Sequence, residues 1–403
     1  MDLRVQARLW IGAGLLSLGA FPLFAEVFHA EKLAAMDAAI EQAIASNKCP
    51  GGVLWLERNG TAYHKAFGQR ALVPEREPMT EDTIFDAASL TKVVAGTPAV
   101  MLLVEREDVQ LDAPVQRYIV EFTGGGKETV TVRQLLVHTS GLRPDIETQS
   151  DWRGQEEAIR KACVEEELRS EPGTVFRYSD INFFLLGEIV QRVSRTPLEV
   201  FVQREIYEPL RMTDTGFLPP PEKLSRIAPT EVEKGQPPWR GVVHDPTARK
   251  MGGVAGHAGL FTTAADLARY ARMLLNLGEL DGVRVFKPGT VKLMTSVQTP
   301  PDVSARRGLG WDIDTRFSGP RGEVFPLGSY GHTGWTGGSL WIDPFSNTFV
   351  IFLSNRNHPT GAGSVIALRH ELGTLAAESI ADFDFEGFPG VSPPATNGVA
   401  PGG

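Results

Sequence analysis

The chain has little cysteine: Cys49 and Cys163 are the only two in 403 residues. That excludes a disulfide framework as the basis of the fold, and a chain of this length does not need one. Cys49 precedes a strand and Cys163 lies in a distant helical segment, so a bridge between them is not expected. Neither has the sequence context of a nucleophilic thiol. Positive charge is also short. The 40 Lys and Arg against 49 Asp and Glu give a formal net charge of −9, with no long basic run and no basic–aromatic stripe. Nucleic acid is therefore not an expected partner. Closely spaced metal-ligand signatures such as His-Glu-x-x-His are missing. His244, Asp245 and His257 form a loose set of ligand types, but the glycines around them imply a tight backbone passage. No metal and no organic cofactor are expected. After Ala25 no apolar stretch is read as long enough to span a membrane.

What is present begins with an export signal over residues 1–25. Arg4 and Arg8 precede an apolar stretch from Leu9 to Ala25, with Pro22 near its end and small Ala25 at the cleavage edge. Position −3 would be Leu23, larger than the residue usually found there, and an uncleaved anchor is the alternative. The protein is expected to be periplasmic or secreted, meeting a membrane only if this segment is retained.

Periodicity then gives a helix over Ala30–Lys48, with Leu33, Met36, Ile40 and Ile44 on one face. Strands follow at Gly52–Glu57 and Thr61–Gly68, joined by Arg58-Asn59-Gly60, a hairpin signal. A helix is expected from Ser89 to about Arg106. The middle third is helix-rich: Thr131 caps a short helix through Val137, Gly154–Leu168 and Ser179–Val193 are periodic, and Thr196 caps a helix opening at Pro197. Residues 217–250 read as an irregular excursion, and Thr263 caps Ala264–Leu277. Strands return at Gly308–Ile313, Gly338–Ile342 and Thr348–Ser354, followed by a helix near Ser364–Ile380. Residues 383–403, rich in Gly and Pro, are expected to be a disordered tail. The expected fold class is α+β, in a domain over 26–382. One antiparallel sheet is assembled from both chain ends and flanked by helices, with a helical lobe inserted at about 107–280 and a ligand cleft between them.

Three short motifs carry chemistry. Ser89 opens a helix and Lys92 lies one turn on, so the two side chains share a face. A serine hydroxyl needs an adjacent base or a stabilised alkoxide to attack a carbonyl, and a lysine at this spacing can supply either. Tyr178-Ser179-Asp180 stands where an irregular segment enters a helix. His332-Thr333-Gly334 precedes Trp335 and an apolar strand.

In this order and context the three resemble the active site of serine hydrolases of the penicillin-recognising and β-lactamase superfamily, including class C β-lactamases and D-alanyl-D-alanine carboxypeptidases. The implied fold is β-lactamase/transpeptidase-like. Leu135–Leu142 and Gly308-Leu309-Gly310-Trp311 match further stretches of the superfamily, His138 in the first being read as structural. Val243-His244-Asp245 with Gly252–Phe261 resembles a signature of a subgroup that includes muropeptide amidases. The resemblance implies that Ser89 is the nucleophile and that Lys92 and Tyr178 handle protons. It also implies that the N–H groups of Ser89 and Trp335 form an oxyanion hole, and that Thr333 and Gly334 lie on a substrate-facing strand.

Two positions depart from the pattern. Asp180 replaces the usual asparagine, and can hold Lys92 charged so that Tyr178 becomes the base. His332 replaces lysine, exchanging a permanent charge for one expected to titrate near neutrality. Arg356, after the last strand, is a candidate for a substrate carboxylate. The expected function is exported acyl-enzyme hydrolysis of small-molecule or peptide substrates, chiefly peptidoglycan fragments cut as D-alanyl peptides or muramoyl–alanine amides. The alternatives are a carboxylesterase, a β-lactamase, or a non-hydrolysing penicillin- or cell-wall-binding module.

Overall fold

The computed structural model describes residues 27–233 and 235–391; the expected export signal lies outside the described residues. An eight-stranded sheet forms the centre. Its strands are β1 (Gly51–Arg58), β2 (Thr61–Ala71), β3 (Glu77–Pro78), β4 (Arg306–Arg307), β5 (Asp312–Asp314), β6 (Tyr330–Thr333), β7 (Ser339–Asp343) and β8 (Thr348–Ser354). In space they run β3-β2-β1-β8-β7-β6-β5-β4, every pair antiparallel. The two chain ends meet at β1 and β8, Gly52 opposite Ser354 and Arg58 opposite Thr348. Asn59 and Gly60 both take positive φ, 49° and 82°, as a two-residue hairpin turn between right-twisted strands requires.

The helices that position the site are α1 (Ala30–Ala45), α2 (Thr97–Glu105), α3 (Asp180–Ser194), α4 (Ala264–Leu275) and α5 (Ile366–Glu378). Alternation along the strands divides the core. Leu54, Leu56, Trp341 and Phe352 pack with Met36 and Ile40 of α1 and Leu372 of α5. Their neighbours Val53, Leu340, Ile351 and Leu353 face a larger core shared with α2, α3 and α4. Burial on both faces explains why β1, β7 and β8 read as nearly continuous apolar runs.

The helical stretch Ala88–Glu105 has mean hydropathy 1.3 over 18 residues, long and apolar enough to cross a membrane by length and composition. This corrects the expectation of no such stretch after Ala25. Its physical reason is burial: 83% of the stretch is buried inside the protein, as the core helix of the nucleophile motif. Residues 107–280 supply α3, α4 and shorter helices. A small sheet of Phe85–Asp86, Leu260–Thr262 and Gly216–Phe217 ties this region to the segment just before Ser89.

Several boundaries differ from expectation. The strand expected over Gly308–Ile313 begins only at Asp312, and residues 308–311 form a turn between β4 and β5, because Gly310 takes φ 79° and packs against the Thr97 side chain, where a Cβ would lie 1.9 Å from its hydroxyl. The helix after Thr196 runs Leu198–Val202 with Pro197 at its cap. The tail was expected from 383, but residues 383–391 are packed: Phe385 is buried against Phe325, and Leu327 N–H donates to Pro389. Four phenylalanine and valine side chains in that stretch, at 383, 385, 388 and 391, outweigh its Gly and Pro content. Residues 392–403 lie outside the described residues. Cys49 and Cys163 are both free and buried, with thiols pushed by burial up to about 11 and about 12.

Candidate active site

Ser89 sits in a single tight turn, Ala88–Leu90, that runs through a wider turn at Lys92–Gly96 into α2. Ala88 is held at φ 44°, a strained value for a residue with a Cβ. The buried Asp86 carboxylate accepts from Ala88 N–H at 2.8 Å, and Thr91 Oγ1 donates to Ala88 O at 2.6 Å. These bonds fix the turn. Gly334 completes it from the far side, since a Cβ there would lie 2.5 Å from Ala87 O. That glycine therefore admits the backbone of the nucleophile turn.

Lys92 is fully buried. Its Nζ donates to Ser89 Oγ at 3.0 Å and to His257 O at 3.2 Å, and pairs with Asp180 Oδ1 at 2.6 Å. Burial pushes the ammonium toward neutrality, but the charge and hydrogen bond of Asp180, with the Tyr178 oxygen, outweigh it and hold Lys92 protonated. Lys92 Nζ lies 4.9 Å from the centre of the Tyr178 ring, and burial raises the Tyr178 hydroxyl above the usual phenol range against the opposing Lys92 charge. The resting site is thus ammonium, carboxylate and neutral phenol.

Tyr178 is wedged between His138 at 4.5 Å, Phe317 at 5.3 Å and His332 at 6.1 Å between ring centres. His138 is buried and accepts from Ser179 N–H at 3.1 Å, while Asp180 N–H donates to Pro144 O. The start of α3 is therefore fixed by its backbone, with Asp180 in the first turn facing Lys92.

His332 does not titrate near neutrality. Burial, then the charges of Arg307 and Lys92, push it well below the ordinary histidine value, so it is neutral. Its Nδ1 lies 2.8 Å from Thr333 O and so carries the proton, leaving Nε2 as a buried acceptor with no partner among the described residues. β5 covers β6 only at Gly331, so the outer edge of His332-Thr333 is open beyond it. Trp335 follows in a turn and is 68% exposed. Its N–H, like that of Ser89, has no backbone acceptor among the described residues.

A cavity of about 460 Å³ joins these groups, lined by Ser89, Tyr178, His332, Thr333, Gly334, Trp335 and Arg356 together with Arg316, Phe317 and Arg369. Arg356 is not a free carboxylate clamp. Its Nε donates to Trp335 O at 2.7 Å, its Nη1 to Gly363 O at 2.7 Å, and it stacks 4.5 Å from the Trp335 ring. It braces the turn that carries Trp335. Arg369, which sequence reasoning missed, is the stronger candidate. It is buried, donates to Gly334 O at 2.6 Å, and has an Nε without a partner among the described residues. Burial and then Arg356 lower its guanidinium to about 9. A signal existed: Arg369 falls on the buried face of α5 with Leu368 and Leu372, where an arginine needs a reason to be.

His244, Asp245 and His257 do not converge as ligands. His257 Nε2 pairs with Asp245 Oδ1 at 3.0 Å, whereas His244 Nε2 turns to Glu231 and Asn357, each at 2.9 Å.

The family model described as Beta-lactamase matches residues 36–374. The chain belongs to this Beta-lactamase family. An Escherichia coli (strain K12) protein provisionally named a D-alanyl-D-alanine carboxypeptidase is 32% identical over 82% of this chain and 84% of its own. A Bacillus subtilis (strain 168) protein named N-acetylmuramyl-L-alanine amidase is 31% identical over 82% of each. A penicillin-binding protein homolog from Caulobacter crescentus superposes with TM-score 0.69 at 22% identity, over 86% of this chain and 97% of that one. A class C β-lactamase structure gives TM-score 0.68 at 19% identity, over 85% and 99%. The β-lactamase/transpeptidase-like fold is thereby shown, and the chain is a serine hydrolase of the Beta-lactamase family. Against the family's usual pattern, Asp180 and His332 each make the local charge more negative: a carboxylate stands beside the lysine, and a neutral ring stands where a cation is usual.

Proposed function

We propose that this protein is an exported hydrolase of peptidoglycan-derived peptides that works through an acyl-enzyme on Ser89. The observation that carries the reading is the contact of Lys92 Nζ with Ser89 Oγ at 3.0 Å, where Ser89 lines a cavity together with Tyr178 and Arg369, a buried arginine with no acidic partner among the described residues. Ser89 Oγ attacks the carbonyl, whose oxygen is received by the N–H groups of Ser89 and Trp335. The Ser89 proton passes to Tyr178 Oη as the phenol proton passes to the leaving amine. This relay needs no resting phenolate. Lys92, kept charged by Asp180, stabilises negative charge on both oxygens. Water entering where the amine left reverses the sequence and frees the acid.

Arg369, with Arg316 and Arg356 nearby, suits a leaving group that bears carboxylate. Both curated relatives are named for peptidoglycan cleavage, as a carboxypeptidase and an amidase. Export is supported by Arg4 and Arg8 ahead of the apolar run to Ala25. A carboxylesterase remains the second reading, favoured by the apolar walls Phe317, Pro320, Val365 and Ile366 of the same cavity.

Mass spectrometry of purified muropeptides incubated with the enzyme and with Ser89→Ala tests the proposal. Ser89-dependent loss of terminal D-alanine or release of an intact stem peptide is expected. No Ser89-dependent change would remove the peptidoglycan assignment.

A further inference from the structure

A second, smaller cavity of about 150 Å³ touches Ser89, against about 460 Å³ for the first. The two share Ser89 and Trp335 and otherwise have different walls; the small one is bounded by Ala88, His244, Asp245, Pro246 and Ala258. On the function proposed above, which this inference rests on and deepens, the carbonyl sits at the shared wall where the two free N–H groups lie. Tyr178, which hands its proton to the leaving group, lines only the larger cavity. The acyl half is left with the smaller one.

We infer that this small cavity is the acyl subsite, and that it selects an alanyl-sized aminoacyl group whose α-nitrogen donates a hydrogen bond to Asp245. The size follows from the walls: Ala88, Pro246 and Ala258 leave about a third of the volume open on the other side. The chemistry follows from Asp245. Its Oδ1 accepts from His257 Nε2 and from Ala248 N–H, while Oδ2 carries no hydrogen bond among the described residues. The side chain is 23% exposed. Burial opposes ionisation, but the His257 charge and hydrogen bond hold Asp245 well below the usual carboxylate range. An ionised oxygen on the wall of a small pocket accepts an N–H and repels an oxygen. The D-alanyl residue of a stem peptide has that N–H, whereas a muramoyl lactyl ether presents an oxygen at the same place.

The test uses matched p-nitrophenyl esters, whose common leaving group makes the comparison one of acyl groups. N-acetyl-D-alanyl and O-acetyl-D-lactyl esters differ only in N–H against O. The enzyme is expected to favour the alanyl ester by about 10-fold or more in kcat/KM. N-acetyl-D-leucyl ester is expected to be slower than the alanyl ester. Asp245→Asn, which keeps an oxygen for the Ala248 cap, is expected to shrink the alanyl-to-lactyl ratio to within about 3-fold. Equal wild-type rates on the alanyl and lactyl esters, lost in Ser89→Ala, would overturn this inference while leaving the serine-hydrolase reading intact. Equal rates in wild type and Ser89→Ala would overturn both.

Discussion

The two cavities that meet at Ser89 each have a buried histidine at their back, and the two imidazoles are pushed in opposite directions. His332, on the arginine side, is driven well below its ordinary value by burial and by Arg307 and Lys92, and is neutral. His257, on the aspartate side, is equally enclosed, yet the charge of Asp245 and its hydrogen bond outweigh burial and raise it. Burial is common to both; the nearest charge decides the sign. One wall of the cleft thus presents guanidinium groups and an unprotonated ring nitrogen, the other an ionised carboxylate. A substrate is read in opposite senses on the two sides of its scissile bond.

The largest expected effect removes the point where the two sides meet. Ser89→Ala should lower kcat by about 10⁴-fold or more, with an unfolding midpoint close to that of wild type. A residual rate within 10-fold of wild type, by the same steady-state assay, would count against the nucleophile. Next comes the cationic side. Arg369→Met should raise KM for a substrate with a free carboxylate on the leaving group by roughly 10- to 100-fold, and change KM little for its carboxamide analogue. Equal losses on both analogues would show that Arg369 only props Gly334.

Asp145 gives an effect on stability rather than on rate. It lies half-buried near His257, Asp180 and Asp245, and this partial burial, ahead of its neighbours' charges, raises it to about 6. The unfolded carboxyl titrates near 3.8, so between those values the folded state holds a proton that the unfolded state has lost. Stability from this group therefore falls as pH rises from about 4 to about 6, by an order of 1–3 kcal/mol. Urea unfolding of Asp145→Asn across that range should lack this part of the slope. An unchanged slope would place Asp145 outside the coupled cluster.

The smallest effect is a flat line. Neutral His332 has no proton to lose between pH 6 and 8, so it should contribute no fall in kcat/KM there. NMR of the imidazole nitrogens should show His332 neutral, and protonated on Nδ1, at pH 6 while His257 is still charged. Reversed charge states would break the comparison between the two walls.

Much of this was legible in the sequence, for reasons that are local. Asn59-Gly60 can hardly be other than a turn, Thr131 and Thr263 both cap their helices as expected, and serine and lysine one turn apart must share a face. The three motifs came together because each is tied to an element end that the sheet brings to one place. What was not legible depends on long-range packing. The state of His332 is set by burial and then by Arg307 and Lys92, 25 and 240 positions away in the chain. Gly334 serves Ala87, across the fold. The loop carbonyls of Gly361 and Gly363 take up the Arg356 guanidinium, which leaves Arg369 as the stronger candidate for a carboxylate. The strained Ala88 leaves no mark in the sequence, since alanine is an ordinary residue everywhere except at positive φ.

The most direct measurement is a rapid acid quench of the enzyme during turnover of N-acetyl-D-alanyl p-nitrophenyl ester, followed by peptide mapping by mass spectrometry. The account predicts an acetylalanyl mass on the peptide containing Ser89, absent from Ser89→Ala and lost as the substrate runs out. Turnover with no adduct on that peptide, or an adduct on another residue, would contradict it.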